Sequence, residues 1–200
     1  GNIPSTLSGE FSYSLGFSLS FLFVSSLYAS ISRGKYELRN SVIFSLVTIS
    51  HIYTSIFSAT ASLLMVLLGR RSEARNNFLI LAKTYALSAA LIAFWAVPLF
   101  FDLSYKTDFG YRWTIESIST IFPTIYLPII LLSLIAIRIG GNKKDNRILF
   151  LLSLMLLSAI LYLASQFLGL VDVRFLPFMQ FSGVLLASYG LGELIKKARP

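Results

Sequence analysis

Cysteine is absent from this 200-residue chain, and histidine occurs once, at His51. Without cysteine there is neither a disulfide framework nor a thiolate metal site, and a lone histidine with no paired His or carboxylate nearby gives weak grounds for metal binding. Charge is scarce as well: 13% of residues are Asp, Glu, Lys or Arg, with only 9 acidic against 17 basic. A water-soluble domain carries about a quarter charged residues, so water is not the main solvent of this chain. A starting Met and a charged leader are also missing. The first apolar run, Phe11 to Ile31, is long enough to span a membrane and has no small-residue cleavage context. It reads as a span rather than a signal peptide, and the chain reads as a fragment of a longer protein.

What fills the sequence is apolar: 56% hydrophobic residues and a mean hydropathy of +0.74. Five runs are long enough for a hydrocarbon core that takes about 20 helical residues to cross: Phe11 to Ile31, Phe78 to Phe101, Ser117 to Arg138, Ile148 to Leu168, and Phe175 to Ile195. The predicted fold is an all-α polytopic membrane protein, one transmembrane domain over residues 1–200.

Four connections are basic. They hold Arg33, Lys35 and Arg39; Arg70, Arg71 and Arg75; Arg138, Lys143, Lys144 and Arg147; and Lys196, Lys197 and Arg199. The positive-inside rule puts all four, and with them the C-terminus, in the cytoplasm of a multi-pass protein of the cell membrane. The basic residues sit between apolar runs, which argues for topogenic charge and against a nucleic-acid partner. Residues 40–68 then leave the cytoplasmic side and return to it, as a short helical hairpin with its tip near His51. Arms of about 14 residues reach roughly 21 Å, so the tip is expected to stop short of the far interface. The rival is one tilted span with a basic loop outside.

Under the hairpin topology the non-basic connections face outward: residues 1–10, the His51 tip, the loop 102–116, and the segment 166–174. Asp102 and Asp108 flank Ser104, Tyr105, Lys106 and Thr107, and Gly110 permits a tight turn before Tyr111, Arg112 and Trp113. Two carboxylates beside two cations can hold a divalent metal ion, bind a phosphate and sugar, or act as acid and base. The competing reading is an interfacial loop of solvated charges with an aromatic belt. No metal-ligand spacing here is diagnostic.

His51 lies among Ser50, Tyr53, Thr54 and Ser55, where an ionisable ring implies a partner or a cavity. Glu10 stands at the start of the first span, as a site residue or as a negative charge on the helix dipole. Arg174 can grip a lipid phosphate or pair with Asp172. Pro123 and Pro128 are expected to kink or delay their helix, and Gly140, Gly141, Asn142 and Lys143 to form a turn.

Four strings together resemble a known family: NIPSTLSGEFSYSLGFSLSFLF, SHIYTSIF, AFWAVPLFFDLSYKTDFGYRW and VRFLPFMQFSGVLLASYGLG. In order and spacing they are similar to prokaryotic multi-spanning proteins labelled 6-pyruvoyl-tetrahydropterin synthase-related, which look like glycosyltransferases of the GT-C type. The pterin label implies soluble zinc chemistry, for which one His and no Cys provide no site. The GT-C likeness implies transfer of a sugar from a polyprenyl-phosphate donor on the non-cytoplasmic face. It suggests Glu10, His51, Asp102, Asp108 and Arg174 as cavity residues; together with the loop reading, Glu10, Asp102 and Asp108 are the candidate catalytic acids, and His51, Lys106, Arg112 and Arg174 the candidate substrate-binding residues. The principal catalytic acid of that group lies in a first outer loop that this fragment is expected to lack, so alone it is expected to be inactive. The alternative function is a non-catalytic membrane component, or a transporter of lipid or polysaccharide.

Overall fold

The structure is a computed structural model that describes residues 10–69, 71–102, 119, 122–143, 145–168 and 170–198, without the side chains of 71, 142, 143, 166 and 172. Helix is the only regular structure among them. That follows from solvent: an unsatisfied amide in hydrocarbon costs several kcal/mol, and a helix satisfies its amides within one segment. Five helices are long and apolar enough to cross a membrane: Phe11–Arg33, Ala74–Phe101, Thr124–Gly141, Asn146–Ser165 and Val173–Ala198. Two shorter apolar helices, Leu38–Ser50 and Ile52–Leu68, lie between the first two. The chain is an all-α, multi-span membrane protein.

One sequence expectation is met and one needs correction. The expected start of the third span, Ser117, lies outside the described residues; beyond Pro123 a 3₁₀ turn at Thr124–Tyr126 leads into a helix at Leu127–Lys143, the delay expected of that proline. Pro123 is held extended at φ −54°, ψ 154°, so the helix starts only after it. Gly140, Gly141, Asn142 and Lys143 form no turn, for they are the end of that helix. Gly140 serves a close approach, since a Cβ there would sit 2.3 Å from Ile148 Cγ1.

The chain divides into two compact units, Gly1–Asp108 and Phe109–Pro200. The first holds α1 (Phe11–Arg33), α2 (Leu38–Ser50), α3 (Ile52–Leu68) and α4 (Ala74–Phe101). Helix α1 stops at Gly34, whose φ of 65° suits a residue without Cβ and lets its N–H close on the Ile31 carbonyl. Helix α2 then climbs back along α1: Asn40 lies level with Ser26 and Ser30, and Phe44 packs on Phe23. Helix α3 descends the same face, with Thr54 beside Gly16 and Phe57 against Phe21. Helices α2 and α3 are therefore an antiparallel hairpin joined at His51. Helix α4 rises again from the base, where the Asn76 amide donates to the Gly34 carbonyl at 3.2 Å.

The interior of this unit mixes apolar side chains such as Phe23, Leu27 and Phe57 with many small polar ones. Ser20, Ser26, Ser30, Asn40, Ser41 and Ser45 are buried, while Phe94, Phe100 and Phe101 are 75%, 71% and 78% exposed. Lipid tails are as apolar as leucine, so burying leucine gains little; close packing of small residues and interhelical hydrogen bonds hold the helices instead. Ser88 Oγ donates to the Ser41 carbonyl at 2.9 Å, Ser20 Oγ to the Thr54 carbonyl at 3.3 Å, and Tyr85 is hydrogen-bonded to Ser62.

The second unit holds α5 (Leu127–Lys143), α6 (Asn146–Leu168) and α7 (Leu176–Ala198), with a 3₁₀ turn at Asp172–Phe175 before α7. Helix α7 lies between the others, and α5 and α6 each pack along it far more than on each other. A Cβ on Gly190 would lie 2.3 Å from the Leu132 carbonyl oxygen, so this contact is backbone against backbone. Ser133 Oγ donates to the Gly183 carbonyl at 3.0 Å, and Ala136, Ile148 and Leu186 form a buried apolar cluster.

Candidate functional site

His51 interrupts the hairpin with extended backbone, φ −166° and ψ 132°, ending α2 and starting α3. Its N–H continues the α2 ladder to the Val47 carbonyl at 3.1 Å. Its carbonyl accepts the Ser55 N–H at 3.2 Å and the Thr54 hydroxyl at 2.6 Å, so the hydroxyl-rich stretch after it satisfies the break. The imidazole caps α3 by accepting the Tyr53 N–H on Nδ1 at 3.3 Å. An acceptor Nδ1 carries no proton, which assigns the ring as the neutral tautomer with its hydrogen on Nε2. Tyr13 meets the ring edge-on at 5.1 Å between centroids, and Tyr53 lies against it at 5.4 Å. No described residue accepts from Nε2, so the half-buried ring presents a free N–H donor.

The Tyr13 contact also fixes the level of the tip within this unit, beside the first turn of α1. An arm of 13 residues, about 20 Å long, reaches that level. The reason is that α2 starts at the level of Ser30, above the base, and not at the α1 terminus.

Glu10 belongs to the same end of this unit. It precedes α1, its carbonyl accepts from the Ser14 N–H at 3.1 Å, and its carboxylate makes no capping bond. Asp102 closes α4 at the end remote from Asn76, exposed, its N–H on the Pro98 carbonyl at 3.0 Å. Glu10, His51 and Asp102 are thus carried to one end by α1, the hairpin and α4, while Arg33, Lys35, Arg39 and Arg75 occupy the other. Lys106, Asp108 and Arg112 lie outside the described residues. Arg174 sits in the 3₁₀ turn before α7, half-buried, at the end of the second unit away from Arg138, Arg147 and Lys196.

Sequence reasoning passed over three residues. Tyr13, which walls the His51 ring, looked like one aromatic among many. Glu193 is a buried carboxylate in α7, paired with Lys196 at 3.0 Å, and its signal was an acid one turn before a Lys-Lys pair. Asp145 joins α5 to α6 and binds Arg147 through both oxygens at 3.0 and 2.8 Å. Its carboxyl is held far below the usual range, first by the Arg147 side chain and then by the Arg147 N–H. An acid inside a basic loop reads as solvated charge until its partners are known.

Among the described residues no three His, Asp or Glu side chains come together to hold a metal ion. The whole chain from residue 1 to residue 200 matches the family described as 6-pyruvoyl-tetrahydropterin synthase related domain, a membrane protein. The chain belongs to this family. No curated protein and no solved structure matches the chain. At the His51 end of its first unit this chain carries the imidazole and two acids, Glu10 and Asp102, on a helical frame.

Proposed function

We propose that this chain is the membrane portion of a GT-C-like glycosyltransferase that takes a sugar from a polyprenyl-phosphate donor on the non-cytoplasmic face of the cell membrane. One observation carries the reading: a neutral His51 with an open Nε2–H, at the same end of its unit as Glu10 and Asp102 and opposite the basic end. In such a transfer the bond from the anomeric carbon to the phosphate oxygen breaks as one to an acceptor hydroxyl forms. The hydroxyl proton passes to a carboxylate, for which Glu10, Asp102 and Asp108 are the candidates. Charge builds on the departing phosphate, where the His51 N–H and Lys106 are the candidate donors of the first unit, while Arg112 and Arg174 are candidate substrate-binding residues of the second. A divalent metal ion, if used, would draw on Asp102 and Asp108. The basic loops and C-terminus face the cytoplasm in this reading, and the 102–116 loop faces outward.

The test is lipid-linked sugar transfer by the full-length, membrane-embedded protein that contains this chain, carrying Glu10→Gln, Asp102→Asn, Asp108→Asn, Arg174→Gln or His51→Asn. Asn preserves the cap on α3 while removing the imidazole donor. At least one acid variant should lose about 10²–10⁴-fold in turnover, the range for general acid or base catalysis. Wild-type turnover in all five would leave the non-catalytic reading, a membrane component or transporter of lipid or polysaccharide, in its place.

A further inference from the structure

His51 is both the break in the hairpin and the group that caps the helix after it. Extended backbone at this one residue separates α2 from α3, and the imidazole Nδ1 accepts the Tyr53 N–H at 3.3 Å. The preferred helix caps, Ser, Thr, Asp and Asn, present an oxygen that accepts at any physiological pH. An imidazole differs, because its acceptor nitrogen is the atom that takes up a proton, near pH 6.5 in a free side chain. A proton and the Tyr53 N–H cannot share Nδ1, so protonation and capping exclude each other. Charge acts in the same direction, since an imidazolium stands at the positive end of the α3 dipole.

The cap holds more than one hydrogen bond. Thr54, in the first turn of α3, is fully buried; its hydroxyl donates to the His51 carbonyl at 2.6 Å and its carbonyl accepts from Ser20 Oγ of α1 at 3.3 Å. The same turn thus docks the hairpin on α1, beside Gly16, where the approach is too close for a Cβ. The neighbouring titratable groups do not replace the cap. Tyr13 faces the ring from α1 and Tyr53 from α3, and both phenols stay neutral in acid. Glu10 before α1 and Asp102 after α4 share this end, and among the described residues neither is ion-paired with the ring.

We propose that His51 is a proton-operated latch on the hairpin tip: neutral, it closes the first turn of α3 against α1; protonated, it releases the Tyr53 N–H and loosens that turn. The latch rests on the cap and not on sugar transfer, although it acts on the same ring. Its readout is structural, so a failed switch and a failed transfer assay are told apart. The full chain in nanodiscs of zwitterionic lipid is examined by nitrogen NMR of its single histidine and by hydrogen exchange at Tyr53 and Thr54. At pH 8 the ring should carry its hydrogen on Nε2, and by pH 4.5 it should hold a second proton. Protection at Tyr53, corrected for the intrinsic exchange rate, should fall about ten-fold over that interval, the scale of losing a helix cap. His51→Asn, whose amide oxygen caps without titrating, should keep equal protection at both values. Wild-type protection that holds while the ring protonates, a ring still neutral at pH 4.5, or an equal loss in His51→Asn would overturn the proposal. The wild-type titration decides by itself if His51→Asn fails to fold.

Discussion

Asn40 accepts the Ser26 hydroxyl on Oδ1 at 2.6 Å and passes its own amide hydrogen to Ser30 at 2.8 Å, so one fully buried side chain on α2 spans two turns of α1. Both serines lie on the face of α1 that a hydropathy profile cannot single out. The bridge fixes the register in which the hairpin docks.

Asn40→Ala is expected to destabilise the protein by about 1 kcal/mol, since each interhelical hydrogen bond in a bilayer averages roughly 0.6 kcal/mol. The loss is limited because Ser26 and Ser30 can turn to carbonyls of their own helix, as Ser20 and Ser45 already do. Unfolding in mixed micelles measures it; a loss above about 3 kcal/mol would mean that the serines cannot turn inward.

Gly190→Ala should cost about 1–3 kcal/mol, the range for overpacking, because the added Cβ meets the Leu132 backbone carbonyl, which no rotamer change can relieve. Gly192→Ala, two residues on with nothing within 4 Å, should be neutral or stabilise by up to about 1 kcal/mol through helix propensity. Thermal unfolding of the pair checks the contrast, and equal effects would contradict the packing of α7 on α5.

Asp145→Asn should lower the unfolding temperature at pH 7, removing the ion pair with Arg147 at the start of α6 and weakening the Tyr189 contact to α7. The folded carboxyl titrates below its unfolded value of about 3.9, so its contribution is complete above that pH and is lost only as pH falls beneath it. The gap between wild type and variant should therefore stay constant from pH 5 to pH 8 and narrow below about pH 4. With the Arg147 side chain 70% exposed, added salt should also shrink it. A gap that changes between pH 5 and pH 8 would assign the effect to another group.

Orientation is read from the cysteine-free background. Single cysteines replacing Ser104 and Lys143, treated with a membrane-impermeant thiol reagent on intact cells, should label at position 104 and not at 143. Labelling of the Lys143 site from outside would reverse the topology.

The sequence alone determined the class, five spans and the presence of a short helix pair broken at His51, because span length, charge and hydroxyl density are local properties of the chain. It also marked Glu10, His51 and Asp102, since a polar group in an apolar chain is conspicuous without any knowledge of its neighbours. Which faces pack was decided only in three dimensions. When the solvent is as apolar as leucine, a buried face and a lipid face read alike, and the Asn40 bridge, the Gly190 contact and the Tyr13 wall of the His51 ring carry no periodic signal. The helical end at Gly140 and Gly141 and the Asp145 clasp belong to the same class, whereas the late start of α5 is local to Pro123 and legible in the sequence. Each depends on what a residue meets across a helix boundary, and only the tertiary arrangement supplies the other side.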